Sequence, residues 1–204
     1  MIVFNNLYKK DENGLFIIDK AQASAIAAMI VSCKANLKQN TIDVIVNHKL
    51  VKVVRYVDII NLELFNNKSR RLLVKEFLIM AFTKSHVVTP DGKTIRITSG
   101  GGGKKLSVFN KKQCISLYSD NLVQVAYFSK TAVDEDDKRR TYYYYDCFIA
   151  FDNEIYQCQL NITFDDKGFN LYDINKIEKK MTLHSPSKVE GGSSPSNPNI
   201  SNSD

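Results

Sequence analysis

The sequence predicts an α+β fold: an antiparallel β-meander packed by amphipathic helices, with a small N-terminal α/β extension. Two observations lead there. Residues 142–151, 155–164 and 169–174 read as strands, separated only by Asp152-Asn153 and Asp165-Asp166-Lys167-Gly168. Short polar turns of this kind join antiparallel neighbours. Ahead of them stand segments with apolar residues at helical spacing behind N-capping residues, and a sheet with one apolar face needs such helices to cover it.

The middle strand carries the clearest pattern. Tyr156, Cys158, Leu160, Ile162 and Phe164 alternate with Gln157, Gln159, Asn161 and Thr163. Successive side chains point to opposite faces of a sheet. The first row is expected to pack on helices, and the second to meet water or a ligand, with Gln157, Gln159 and Asn161 much the more exposed.

From the N-terminus, residues 2–8 and 15–18 are short strand candidates around the turn Asp11-Glu12-Asn13-Gly14. Asp19 and Gln22 stand at N-cap and N3 of a capping box, and the helix they open places Ile26, Met29, Ile30 and Cys33 inward. Residues 42–46 and 50–57 alternate as strands around Asn47-His48, which puts His48 in an exposed turn. Residues 69–82 read as a second helix with Leu73, Phe77, Met80 and Ala81 inward and Arg70, Arg71 and Lys75 solvated. A third helix over 110–128, capped by Asn110 and Gln113, buries Ile115, Tyr118, Leu122, Val125 and Ala126. Residues 131–140 form a charged loop. Three regions follow: an N-terminal extension (1–60), an α+β domain (61–180) and a tail (181–204), whose residues 185–204 are too rich in Ser, Pro, Asn and Gly to bury a core and are expected to be disordered.

Residues 94–109 organise the charge. A strand beginning Thr94-Ile95-Arg96-Ile97-Thr98 runs into Gly100 to Gly103, then Lys104-Lys105, then Leu106-Ser107-Val108-Phe109. Residues 92–119 hold six basic side chains (Lys93, Arg96, Lys104, Lys105, Lys111, Lys112) and no acid. A glycine loop bearing lysines suits a phosphate, because backbone N–H groups and ammonium groups both reach its oxygens. A solvated hairpin with ordinary surface lysines fits the same letters. A P-loop does not, since Thr98 replaces the first glycine and Lys105 the Ser/Thr that would hold magnesium.

Composition narrows the chemistry. The 204 residues are 44% hydrophobic with a net charge of +6, enough for a core and favourable to an anionic partner. Cys33, Cys114, Cys147 and Cys158 form no CxxC pair, and His48, His86 and His184 lie far apart. No metal site, cofactor site or Ser/Cys–His nucleophile has the required spacing. Without a signal peptide or an apolar run of membrane-spanning length, the sequence reads as cytoplasmic.

The order helix, "GKTIRITSGGGGKKLSVFN", helix, "TYYYYDCFIAFDNEIYQCQLNITFDDKGFNLYDI" resembles domains of bacteriophage and mobile-element polyvalent proteins in the barnase–EndoU–colicin–RelE-like group, described as barnase/colicin-like endoribonucleases. The matching positions are Lys105, Tyr143 to Tyr145, Glu154 with Tyr156, and Leu171-Tyr172-Asp173, over about half the chain. The resemblance implies metal-independent RNA cleavage by attack of the ribose 2′-OH, which needs a base, an acid and cations for the developing phosphorane charge. Lys105, Arg140 and Tyr143 are the catalytic candidates. Lys104, Arg96, Arg139, Ser107 and Tyr145 are the RNA-binding ones. Tyr143 and Tyr145 share one strand face and Tyr142 and Tyr144 the other; one pair belongs to the core and the other is free to stack a base or donate a proton. Where the family often carries a His shortly after the lysine, this chain has Val108-Phe109. That departure keeps open a non-catalytic module of the same fold, binding nucleic acid or a protein partner such as an immunity protein.

Overall fold

The computed structural model describes residues 8–37, 40–82, 86–97, 110–134 and 140–183. The glycine run, Thr98, Lys104, Lys105, Ser107 and Arg139 lie outside them, as do residues 2–7 of the first expected strand, the Asn110 side chain and the tail over 185–204. The class is α+β: helices cover one face of a mixed, mostly antiparallel eight-stranded sheet, beside a two-stranded N-terminal ribbon.

The ribbon pairs β1 (Lys9–Lys10) with β2 (Phe16–Ile17) around Gly14, whose φ of +74° suits a residue without Cβ. Helix α1 (Lys20–Ala35) begins with the expected capping box of Asp19 and Gln22. Its buried stripe is Ala23, Ile26, Ala27 and Ile30, the same spacing as expected but set three residues earlier. Met29 and Cys33 face outward, because the small alanines let α1 approach helix α2 (Asn67–Phe82) closely on that side. In α2, Leu73, Val74, Phe77 and Leu78 turn inward, while Met80 is exposed.

Strands β3 (Thr41–Val46) and β4 (Lys49–Arg55) form a hairpin. Asn47 and His48 both have positive φ, the geometry of a two-residue turn matched to strand twist. The pair extends the main sheet, since β4 runs parallel to β8 (Thr141–Phe151) with Val53 opposite Phe148. Beyond β8 come β9 (Glu154–Asp165) and β10 (Gly168–Thr182), the expected meander, with β10 reaching into residues assigned to the tail. Strand β6 (Thr94–Ile97) lies parallel to β10, and β5 (His86–Val88) closes that edge. The main hydrophobic core, between helices and sheet, runs from Phe16 to Ile174.

Two expectations fail between residues 110 and 140. The single helix over 110–128 is instead α3 (Asn110–Ser116) and α4 (Ser119–Val125). The break has identifiable causes: Lys34 Nζ donates to the Leu117 carbonyl at 2.7 Å, and Ser119 Oγ donates to the Ser116 carbonyl at 2.7 Å. Both carbonyls are thereby drawn out of helical bonding. The charged loop begins later than expected, because β7 (Tyr127–Val133) pairs antiparallel with the first half of β8. Nearly every β7 side chain is exposed, so this edge strand leaves no alternation in the sequence. Among the described residues no helix is long and apolar enough to cross a membrane.

Tyr118 pins the corner between α3 and α4. Its ring is fully buried, its hydroxyl donates to the Val57 carbonyl at 2.8 Å, and it accepts from the Val57 N–H at 3.1 Å. Burial pushes the phenol up to about 12 against the lowering effect of the Val57 bond. Tyr118→Phe leaves the Val57 N–H unpaired and is expected to cost about 1–3 kcal/mol in urea unfolding. Because the folded pKa exceeds the unfolded value near 10, wild-type stability is intact below pH 10 and falls as pH rises toward 12. The variant should show less of that loss; an identical alkaline profile would contradict the assignment.

Candidate nucleic-acid interface

Register partners share a face, so the pairings map the side of the sheet away from the helices. One row crosses six strands: Ala132, Tyr142, Thr163, Asn170, Arg96 and His86. The next holds Lys130, Tyr144, Asn161 and Asp173, and the third Tyr127, Asp146, Gln159 and Asn175. Further along, Phe148, Ala150, Ile155, Val46 and Val53 make a small apolar cluster on this outer face.

Aromatic rings gather in the first two rows. Tyr142 lies 6.3 Å from Tyr144 and 5.8 Å from Tyr172, centroid to centroid. All three are half-buried. Lys130 Nζ stands 5.5 Å over the Tyr144 ring. Tyr172 joins them because β10 carries an irregularity between Leu171 and Asp173, which gives one residue no partner on β9 and re-aims its side chain. At the start of β8, the Tyr142 hydroxyl donates to Asp134 Oδ2 at 2.9 Å and accepts from Arg140. Burial raises its pKa, Arg140 opposes the rise and Asp134 adds to it.

The expected polar row is present but not openly exposed. Gln159 is only 6% exposed and donates from Nε2 to Asp146 Oδ1 at 3.1 Å. Flanking Asp146 and Asn175 sheathe it on both sides. The carboxamide oxygens of Gln159, Asn161 and Asn175 are buried and accept no hydrogen bond among the described residues. A cleft of about 230 Å³ opens here, lined by Asp146, Gln159, Lys176, Glu178 and Lys180 among others.

Of the residues expected to act, Arg96 and Arg140 reach this face. Arg96 donates from Nε to Asn170 Oδ1 at 2.6 Å and lies 3.7 Å from Asp165. It sits three strands from Tyr142, about 14 Å away at the usual strand spacing. Tyr143 and Tyr145 are on the other side, so the core claims that pair. Tyr143 packs edge-on against Phe169, 5.2 Å away. Tyr145 has no exposed surface; against the expectation that it binds RNA, its ring is sealed in the core and cannot stack a base. The outward pair is Tyr142 and Tyr144. Lys130 and Asn175 escaped sequence reasoning, since β7 has no alternation; Tyr172 entered only as a position matching the resembled family, and its place in the cluster depends on an irregularity set by pairing with β9.

A second, larger cleft of about 480 Å³ lies between Arg55, Tyr56, Asp58, Glu63, Cys114 and Glu154. Burial pushes the Cys114 thiol up, which disfavours the thiolate a nucleophile needs. Asp58, Glu63, Asp152 and Glu154 outnumber Arg55 among its lining residues, so it repels phosphates. Among the described residues no group of three or more His, Cys, Asp and Glu is placed to hold a metal.

Tyr145 instead anchors the turn before β6. Its hydroxyl donates to Asp91 Oδ2 at 2.9 Å, where Lys93 Nζ (2.5 Å) also donates, while Thr89 Oγ1 (2.5 Å) donates to Oδ1. Partial burial works against it, but these three hydrogen bonds hold the Asp91 carboxyl at about 2. A depressed folded pKa stabilises above the unfolded value near 4, and that contribution is lost as pH falls toward 2. Thermal melts between pH 5 and pH 2 should show wild type losing an increment that Asp91→Asn lacks throughout. Parallel pH profiles would contradict this role.

Comparisons with protein families, with curated proteins and with solved structures find no match. The chemistry of the site itself is therefore the ground for a functional reading.

Proposed function

We propose that this chain binds single-stranded RNA across the outer face of its sheet. The observation that carries the reading is the cluster of Tyr142, Tyr144 and Tyr172 with Lys130 over the Tyr144 ring. Half-buried aromatic rings on a sheet offer bases a stacking surface, and nearby cations meet the backbone between them. Arg96 and Arg140 stand at the margins of the cluster, and the net charge of +6 favours an anionic partner. The resemblance to phage and mobile-element endoribonucleases supports the same substrate class. A cytoplasmic setting agrees with Cys147 and Cys158, which face one another across β8 and β9 as buried free thiols.

Cleavage is the second reading, favoured by the meeting of Asp134, Tyr142 and Arg140. A carboxylate can take the 2′-OH proton, a phenol can protonate the leaving oxygen, and a guanidinium can hold the phosphate. Lys105 would add positive charge to the developing phosphorane, as the family resemblance implies. A non-catalytic module would keep the stacking surface and dispense with this chemistry.

Binding of labelled oligoribonucleotides, followed by fluorescence anisotropy, tests the first reading. Affinity should fall steeply with salt, and Tyr144→Ala should weaken it by about 5- to 150-fold, the scale of one stacked base. Undiminished binding by Tyr144→Ala and Tyr142→Ala together would remove the surface from consideration.

Single-turnover incubation with tRNA and total RNA in EDTA decides the second. If RNA is cut, Lys105→Ala should lower the rate by on the order of 10²-fold. Lys104→Ala should act as the loss of one phosphate contact, with a slightly flatter salt slope. Equal and mild losses would sink the catalytic role of Lys105, and intact RNA at every pH would leave binding alone.

A further inference from the structure

The geometry points to a base-reading pocket beside the tyrosine cluster, selective for bases with an amino group at purine C6 or pyrimidine C4, adenine and cytosine, over those with a keto oxygen or hydrogen there. This inference rests on the RNA-binding reading and adds a specificity to it. Its basis is the hydrogen-bond state of Gln159. That side chain is 94% buried, as the complement of its 6% exposure, and it lines the cleft of about 230 Å³. Its orientation is determined by its partner: Asp146, as a carboxylate, only accepts, so Gln159 must turn its NH₂ to it. The Gln159 Oε1 is thereby committed as an acceptor, and no described residue donates to it.

Asn161 Oδ1, two residues along β9, and Asn175 Oδ1, across the ladder on β10, are buried acceptors in the same condition. Leaving a buried acceptor unpaired costs free energy, and a donor arriving with a ligand recovers it. Asp146 and Gln159 line the cleft together, so the acceptors at hand are a carboxylate and a buried amide oxygen. Against Asp146 and the Gln159 Oε1 a keto oxygen would meet repulsion, whereas an amino group can donate to either. Lys176 and Lys180 line the same cleft, placing cations where a sugar-phosphate backbone would pass. Glu178, which accepts from Lys180 at 2.8 Å, is the opposing charge.

Spacing fits a strand of nucleotides. Asp146 follows Tyr144 by two residues on β8 and shares its face, a separation of about 7 Å. One base stacked on Tyr144 thus leaves its neighbour beside Gln159. The cleft has room for a ring system of that size and none for a drug-sized ligand.

The experiment compares the full chain's affinity for oligoadenylate with that for the same oligomer built from purine riboside, which keeps the ring and loses only the 6-amino group. Oligoadenylate should bind about 10-fold or more tightly, and inosine oligomers, with a keto oxygen at that position, should bind weakest. Gln159→Met should erase most of the adenine–purine difference. Equal binding of the two oligomers by the unmodified chain overturns the inference and leaves Tyr144-dependent binding in place. Discrimination that survives Gln159→Met also overturns it, since the acceptor would lie elsewhere. No binding of any oligomer removes the RNA reading and the pocket together. The oligomer comparison uses the unmodified chain, so its outcome does not depend on how well the variant folds.

Discussion

The structure depends on the period-two alternation along β8 and β9. In register, Tyr145 meets Leu160 and Cys147 meets Cys158 on the core side, while Tyr144 meets Asn161 and Asp146 meets Gln159 outside. A slip of one residue would exchange the two rows, putting amides under the helices and isoleucines in water. Burial of the inner row therefore dictates the chemistry of the outer one. The candidate interface is the polar complement of the core.

Two further devices shape that face. The irregularities in β7 and β10 let edge residues turn without breaking the ladder, which brings Lys130 and Tyr172 to the same aromatic group. On the helical side, Lys34 reaches Asp120 at 2.5 Å and the Leu117 carbonyl, with its ammonium 4.9 Å from the Tyr118 ring. Burial lowers its pKa, and the Asp120 charge and hydrogen bond oppose that. The corner it holds joins α1 to the break between α3 and α4.

Much of this was legible in the residue order. The α+β class, the meander, both polar turns, the Asp19 capping box and the Asn47-His48 turn each rest on local chemistry. What escaped was set by long-range packing. The break at Leu117 is caused by a lysine far upstream, β7 is an exposed edge strand, and the choice between the two tyrosine pairs turns on which face the helices cover. Alternation shows that Tyr142 and Tyr144 oppose Tyr143 and Tyr145, but periodicity has no sign. Arg96 was found through its basic neighbourhood; its place in the Tyr142 row follows from parallel pairing with β10, which no local pattern encodes. Lys104, Lys105, Ser107 and Arg139 lie outside the described residues, and their contribution rests on the sequence.

The pairing order has a kinetic consequence. β7, β8, β9 and β10 are consecutive and joined by short turns or one hairpin loop, so their contacts close small loops. The two parallel pairings, Val53 with Phe148 and Ile95 with Phe169, must instead bring distant parts of the chain together, and closing long loops is slow. The tyrosine cluster and the amide row belong to the fast part. Arg96, carried in by β6, belongs to the slow part. During synthesis the stacking surface becomes complete only once β10 has emerged from the ribosome. By then the early hairpin and helices are already present to cover the opposite side, so the apolar row of β9 need not wait in water for its lid.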